Sequence, residues 1–107
     1  MVVSILMRKT RITDRREWEA RLAEVLPRLR EVMSACPGFR SVQYLWGVED
    51  DGEFAQITEW ATLEDCRRYV REGAAATVAT IEDAAIPTAP YPNGAWVRKT
   101  FDAAGTA

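Results

Sequence analysis

The chain has 107 residues, 48% of them apolar and 28% charged, with a net charge of −2, which is the size and balance of one ordinary folded domain. Lysines and arginines are spread along it with no basic stripe to neutralise phosphates, so nucleic acid is excluded as a partner. Its apolar runs fall far short of the ~20 residues that span a bilayer, which excludes a membrane protein. Residues 2–12 open on VVSILM and read as a strand. Their positive charge follows the apolar run, the reverse of a secretory leader, so a cytoplasmic protein is expected. Asp14 and Glu17 then have capping-box spacing at the start of a helix. Trp18, Leu22, Val25, Leu26, Leu29, Val32 and Met33 recur at steps of three and four, forming one apolar stripe. Pro27 removes one intrahelical hydrogen bond and predicts a kink rather than a break, because the stripe keeps its phase. Pro37-Gly38 stops the helix.

Residues 39–48 read as the second strand, with Val42, Tyr44, Trp46 and Val48 on one face and Phe39, Ser41, Gln43 and Leu45 on the other. The acidic run 49–53 lacks the spacing of a calcium loop and reads as a solvated hairpin turn. Residues 54–60 return as the third strand, placing Tyr44 and Trp46 near Gln56 and Thr58. Thr62 caps the next helix, Asp65 follows as its partner, and Gly73 stops it. Residues 74–86 form a second short helix, with Val78, Ile81 and Ala85 inward. Pro87, Pro90 and Pro92 make a rigid loop closed by Asn93-Gly94. A last strand over 95–102 leads into a disordered tail reaching residue 107.

The order β-α-β-β-α-β defines an α+β, ferredoxin-like domain, an antiparallel sheet with two helices on one face. The strands carry apolar side chains at both parities, so the second face also needs cover. A second copy of the chain is the economical choice, giving a homodimer with facing sheets.

No histidine occurs anywhere, which removes Ser–His and Cys–His triads, a His-ligated haem and most zinc and non-haem iron sites. Cys36 and Cys66 make no CxxC pair and read as buried, reduced thiols. The stretch FAQITEWATLEDCRRY sets a large aromatic, Trp60, at a strand end beside a helix start. That is a common place to line a pocket.

The long helix ending in Pro37-Gly38-Phe39, the hairpin, and Glu59-Trp60 followed by a helix together resemble the antibiotic biosynthesis monooxygenase family of dimeric α+β barrels, over residues 2–101. The family includes cofactor-independent oxygenases of polycyclic aromatic polyketides, quinol oxygenases and haem-degrading enzymes. Its polyketide oxygenases carry Trp at this strand end, Asn four residues earlier and Tyr six residues later. Trp60 keeps the first, Gln56 stands at the Asn position with the same amide on a longer arm, and Cys66 stands at the Tyr position. Tyr69 lies one turn further along nearly the same helix face. The haem-degrading branch is less similar, because its proximal ligand is a histidine.

The resemblance implies a monooxygenase without cofactor or metal, acting on a small hydrophobic aromatic substrate of polyketide or quinone type. Trp60 and Gln56 are then the catalytic residues, and Tyr44, Trp46, Tyr69 and Cys66 bind substrate. Flat walls come from Trp60, Tyr44 and Trp46, and the Gln56 amide donates to a developing oxyanion. Arg8 or Arg98 adds charge. Plainer roles stand beside these: Trp60, Tyr44 and Trp46 as core or interface, Cys66 as a small hydrophobe, and Arg8, Lys9, Arg98 and Lys99 as edge charges. The same barrel also supports a polyketide cyclase or isomerase, or a non-catalytic dimer that binds a small ligand.

Overall fold

The computed structural model describes residues 1–83, 88–89 and 96–105. Its elements in chain order are β1 (Val2–Thr10), α1 (Arg15–Ser34), β2 (Phe39–Trp46), β3 (Glu53–Trp60), α2 (Leu63–Glu72), α3 (Ala74–Asp83), β4 (Thr88–Ala89) and β5 (Trp96–Asp102). Four long antiparallel strands run in the order β2-β3-β1-β5, and the two-residue β4 pairs with Lys9 and Thr10 of β1. This is the ferredoxin-like α+β fold, with α3 in the segment expected to form a second short helix. The Pro87, Pro90, Pro92 and Asn93-Gly94 loop, the inward Ala85 and the last two residues of the tail lie outside the described residues. Asp102 is the last residue of β5, and the Ala103 N–H donates to the Met1 carbonyl at 2.9 Å.

Local chemistry accounts for the element ends. The Asp14 carboxylate accepts from the Arg16 N–H at 2.9 Å and caps α1. Glu17 reaches forward to Arg21 at 2.6 Å. Thr62 and Asp65 form a reciprocal cap on α2: the Asp65 N–H donates to Thr62 Oγ1 at 3.1 Å, and the Thr62 hydroxyl donates to Asp65 Oδ2 at 2.9 Å. Gly38 in the Pro-Gly-Phe corner has φ +80, and a side chain there would collide with Asp65. That corner brings the start of β2 against α2, where the Gly38 carbonyl accepts from the Ala61 N–H at 2.8 Å. Gly52 has φ +84 and closes the acidic hairpin, its carbonyl accepting from the Thr10 N–H at 2.7 Å. Among the described residues no cluster of acidic, cysteine or histidine side chains forms a metal site, there or elsewhere.

The α1 helix runs unbroken through Pro27 and buries Trp18, Leu22, Val25, Leu29 and Met33. Each such side chain contributes roughly 1.5–3 kcal/mol of transfer free energy. Leu26, expected in the stripe, is exposed. Along β1 and β3, alternate residues are buried against the helices and the rest are half-buried on the open face. Among the described residues no helix is long and apolar enough to cross a membrane.

Candidate active site

Strand register arranges the helix-facing side of the sheet in rows. Trp46, Phe54 and Arg8 share the first row; Tyr44, Gln56, Leu6 and Arg98 share the second. The third is Val42, Thr58, Ser4 and Thr100, and the fourth is Phe39, Trp60, Val2 and Asp102. A bulge between Phe39 and Ser41 puts Phe39 on the Trp60 face, against simple alternation along β2. Apolar clusters occupy the two ends. Trp18, Leu29, Phe54 and Ile81 belong to one, while Met33, Trp60, Cys66 and Tyr69 belong to the other. Between them runs a polar band in which Ser4, Gln56, Thr58 and Thr77 are all 2% exposed or less.

Buried polar groups must be partnered, and these are linked in a chain. The Tyr44 hydroxyl donates to Gln56 Oε1 at 3.1 Å. The Tyr69 oxygen lies close enough to the Gln56 amide for the amide to oppose the rise of its pKa. The Tyr69 hydroxyl donates to Thr77 Oγ1 of α3 at 3.0 Å. With Oε1 taken by Tyr44, the Gln56 NH₂ is the group left to face Tyr69. Alongside, the Trp60 indole N–H donates to Thr58 Oγ1 at 2.8 Å, and the Thr58 hydroxyl points to the Ser4 carbonyl at 3.5 Å. The Trp60 and Tyr69 rings stack at 4.7 Å, and Phe39 meets Trp60 edge-on at 5.7 Å.

Burial sets the protonation of these groups. It pushes the Tyr44 phenol well above its ordinary value, with Tyr69 adding to the effect and Arg8 opposing it. It raises Tyr69 as well, against the opposing pull of Thr77, Gln56 and Arg98. Both phenols are therefore neutral donors at pH 7, not bases. Cys66 is also raised by burial, although Arg98, Ser4 and Thr100 lie close enough to oppose it. It is a protonated thiol, not a nucleophile.

The structure brings Trp60, Gln56, Tyr44 and Tyr69 together and places Cys66 beside Tyr69 in the same cluster. It does not bring Trp46 to them. That ring lies 5.1 Å from Trp18 in the other cluster, because its register partner is Phe54 and not Gln56 or Thr58. Trp60 is fully buried, so its ring is core rather than an open pocket wall. Tyr44 lines a groove of about 610 Å³ between α1 and β2, with its hydroxyl turned inward to Gln56.

A second opening lies on the other side of Gln56. Leu6, Arg8 and Arg98 form its floor, Val70 and the small residues of α3 its roof, around about 410 Å³. It adjoins a hollow of about 550 Å³ that shares Val70 and Arg98 and reaches Cys66, Arg67 and Arg71. Arg8 is only 4% exposed and sits on the central strand β1, so it is not an edge charge. The Arg98 guanidinium donates to Ser4 Oγ at 3.0 Å. The sequence carried a signal for this floor: Ser4 and Arg8 share the parity of Val2 and Leu6 and so had to face the helices with them.

The sequence profile of the antibiotic biosynthesis monooxygenase family matches residues 3–80, and the chain belongs to that family. Its fold is similar to that of SnoaB, a cofactor-independent oxygenase from Streptomyces nogalater, at 16% identity over 98% of this chain and 94% of that one, with a TM-score of 0.64. It is also similar to MhuD, a heme-degrader from Mycobacterium tuberculosis crystallised with two hemes bound in its active site. There the identity is 21% over 100% of this chain and 99% of that one, with a TM-score of 0.65. Identities this low carry the fold alone. A search of curated proteins finds no match.

Proposed function

We propose that this protein is a cofactor-independent monooxygenase that oxidises a polycyclic aromatic substrate of the polyketide or quinone type with O₂. It works as a homodimer in the cytoplasm, each 107-residue chain acting as one domain. Family membership supports the reaction class. The observation that carries the reading is the Tyr44–Gln56–Tyr69–Thr77 chain, buried between apolar clusters one strand away from an open cleft. Such a chain holds its donors and acceptors in fixed orientations beside the cleft.

An anthrone-type substrate lies over Leu6 with its oxygen toward Gln56. Loss of a ring C–H proton gives an electron-rich carbanion whose charge spreads onto that oxygen. The Gln56 N–H stabilises this oxyanion, joined by the neutral Tyr69 O–H when that hydroxyl exchanges its bond to Thr77 Oγ1 for one to the substrate oxygen. The anion passes one electron to O₂, the radical pair combines to a peroxide anion at the same carbon, that anion takes up a proton in place of the one released, and loss of water leaves the quinone. One oxygen atom of O₂ ends in the product and the other in water. The neutral phenols supply hydrogen bonds, so the acidity of the stabilised substrate drives the first step. Gln56 and Tyr69 are each 2% exposed, so the substrate meets them when α2 or α3 shifts outward.

The open sheet face supports the dimer. Val3, Ile5, Met7 and Ile57 are half-buried there, and Leu45, Val97 and Phe101 are exposed at 41%, 43% and 52%. A second copy would cover this apolar surface. Both cysteines are free thiols, in keeping with a reducing compartment.

Oxygen-electrode traces with an anthrone substrate test the site. Gln56→Leu keeps the volume and removes the donor, and it lowers catalysed O₂ uptake by roughly 10²-fold. Uptake equal to wild type would remove Gln56 from the mechanism.

A further inference from the structure

The two hollows beside Gln56 have an unusual charge. The whole chain has 16 acidic and 14 basic residues. Yet the described side chains that line these hollows include Arg8, Arg67, Arg71 and Arg98 against the single carboxylate of Asp102. Two of these arginines lie deep. Arg8 is 4% exposed, and Arg98 is half-buried with one guanidinium nitrogen fixed on Ser4 Oγ at 3.0 Å. The other two are exposed on α2, four residues apart and therefore on one side of the helix. Around these charges the walls are apolar: Leu6, Val70, Val78 and the alanines of α3. A positive floor under low-dielectric walls concentrates its field on whatever enters.

We propose that this cleft takes an aromatic carboxylic acid, with the carboxylate held at Arg98 and Arg8 and the ring system against Leu6 and Val70. This rests on reading the cleft as the substrate site and names the class of substrate it selects. The planar, two-oxygen carboxylate matches the guanidinium fork, which is why arginine rather than lysine suits such a floor. Leu6 pairs with both Arg98 and Gln56 across the sheet, so the anion and the reacting oxygen sit two strand spacings apart, about 10 Å. That distance spans a fused ring system, so the acid group anchors one end while the other meets Gln56. Arg67 and Arg71 at the rim steer the acid inward.

Direct binding tests this without turnover. Quenching of tryptophan fluorescence is titrated with 9-anthracenecarboxylate and with neutral 9-anthracenemethanol. Wild type binds the acid at least tenfold more tightly, because the alcohol lacks the charge-assisted hydrogen bonds to the guanidinium. Arg98→Gln abolishes that preference and leaves affinity for the alcohol unchanged. Because Arg98 also holds Ser4, the exposed double variant Arg67→Glu/Arg71→Glu provides a second test and weakens the acid alone by severalfold. Equal affinity of wild type for acid and alcohol overturns the carboxylate subsite and leaves the oxygenase reading standing. Failure of wild type to bind either compound overturns the subsite too, and oxygen uptake with a neutral anthrone then judges the oxygenase by itself.

Discussion

The Tyr44 hydroxyl donates to Gln56 Oε1 at 3.1 Å across the β2–β3 pair, and that bond fixes which end of the Gln56 amide faces the interior. An amide in an apolar slot has two orientations that differ by a half turn. Only one presents N–H groups to Tyr69 and to a substrate oxygen. Tyr44 is therefore a positioning residue, set one strand further from the cleft than the group it orients.

Tyr44→Phe releases that constraint. Turnover of an anthrone falls about tenfold with KM nearly unchanged, a fraction of the ~10²–10³-fold cost of removing a direct oxyanion donor. Steady-state kinetics of the variant beside Gln56→Leu separate the two. A drop as large as that of Gln56→Leu would make Tyr44 a direct participant instead.

Trp60→Phe should act first on stability. Trp60 is fully buried, stacked on Tyr69 at 4.7 Å and met edge-on by Phe39 at 5.7 Å, and its indole N–H donates to Thr58 Oγ1. The smaller ring leaves a cavity and a buried hydroxyl short of one donor, at a cost of about 1–3 kcal/mol. Urea unfolding shows this as a lower midpoint at constant slope.

Alkaline pH provides a test of the buried phenols. Tyr69 is raised above the ordinary phenol value of 10.0 by burial, and Tyr44 is raised for the same reason. The unfolded chain therefore releases these protons first as pH rises. Their contribution to stability is whole below pH 10.0 and is lost as pH climbs toward the raised folded values. Unfolding free energy measured from neutral to strongly alkaline pH falls in wild type and falls less in Tyr44→Phe/Tyr69→Phe. Equal slopes would mean that neither phenol is held neutral by the fold.

The open face makes its own prediction. Ile57 lies opposite Ile5 at the centre of that face. Ile57→Lys places a charge in the proposed interface and leaves the helix side untouched. Light scattering then shifts from twice the 12.0 kDa chain mass to that mass alone. Wild type that scatters as a single chain would remove the dimer.

Much of this was legible in the residue order, because alternation and capping are local. The parity of β3, the Asp14 and Thr62 caps and the Gly38 corner follow from neighbours a few positions apart. Trp60 and Gln56 share a face for the same reason. Register was not legible. Nothing local says that Trp46 meets Phe54, so its ring could not be assigned to the Trp18 cluster in advance. The Phe39 bulge is likewise a matter of pairing between strands. The choice between a site charge and an edge charge for Arg8 was not legible either, because strand order, which puts β1 between β3 and β5, comes from long-range topology. Thr77 joined the site only when α3 was placed beside Tyr69.

The most direct test of the oxygenase is turnover under ¹⁸O₂ with metal-free and flavin-free protein, beside a no-enzyme control because anthrones oxidise slowly on their own. Wild type should yield quinone carrying one atom of label at a rate well above the control, and Gln56→Leu should return to the control rate. Quinone formed no faster than in the control, or a product formed without label, would contradict the account.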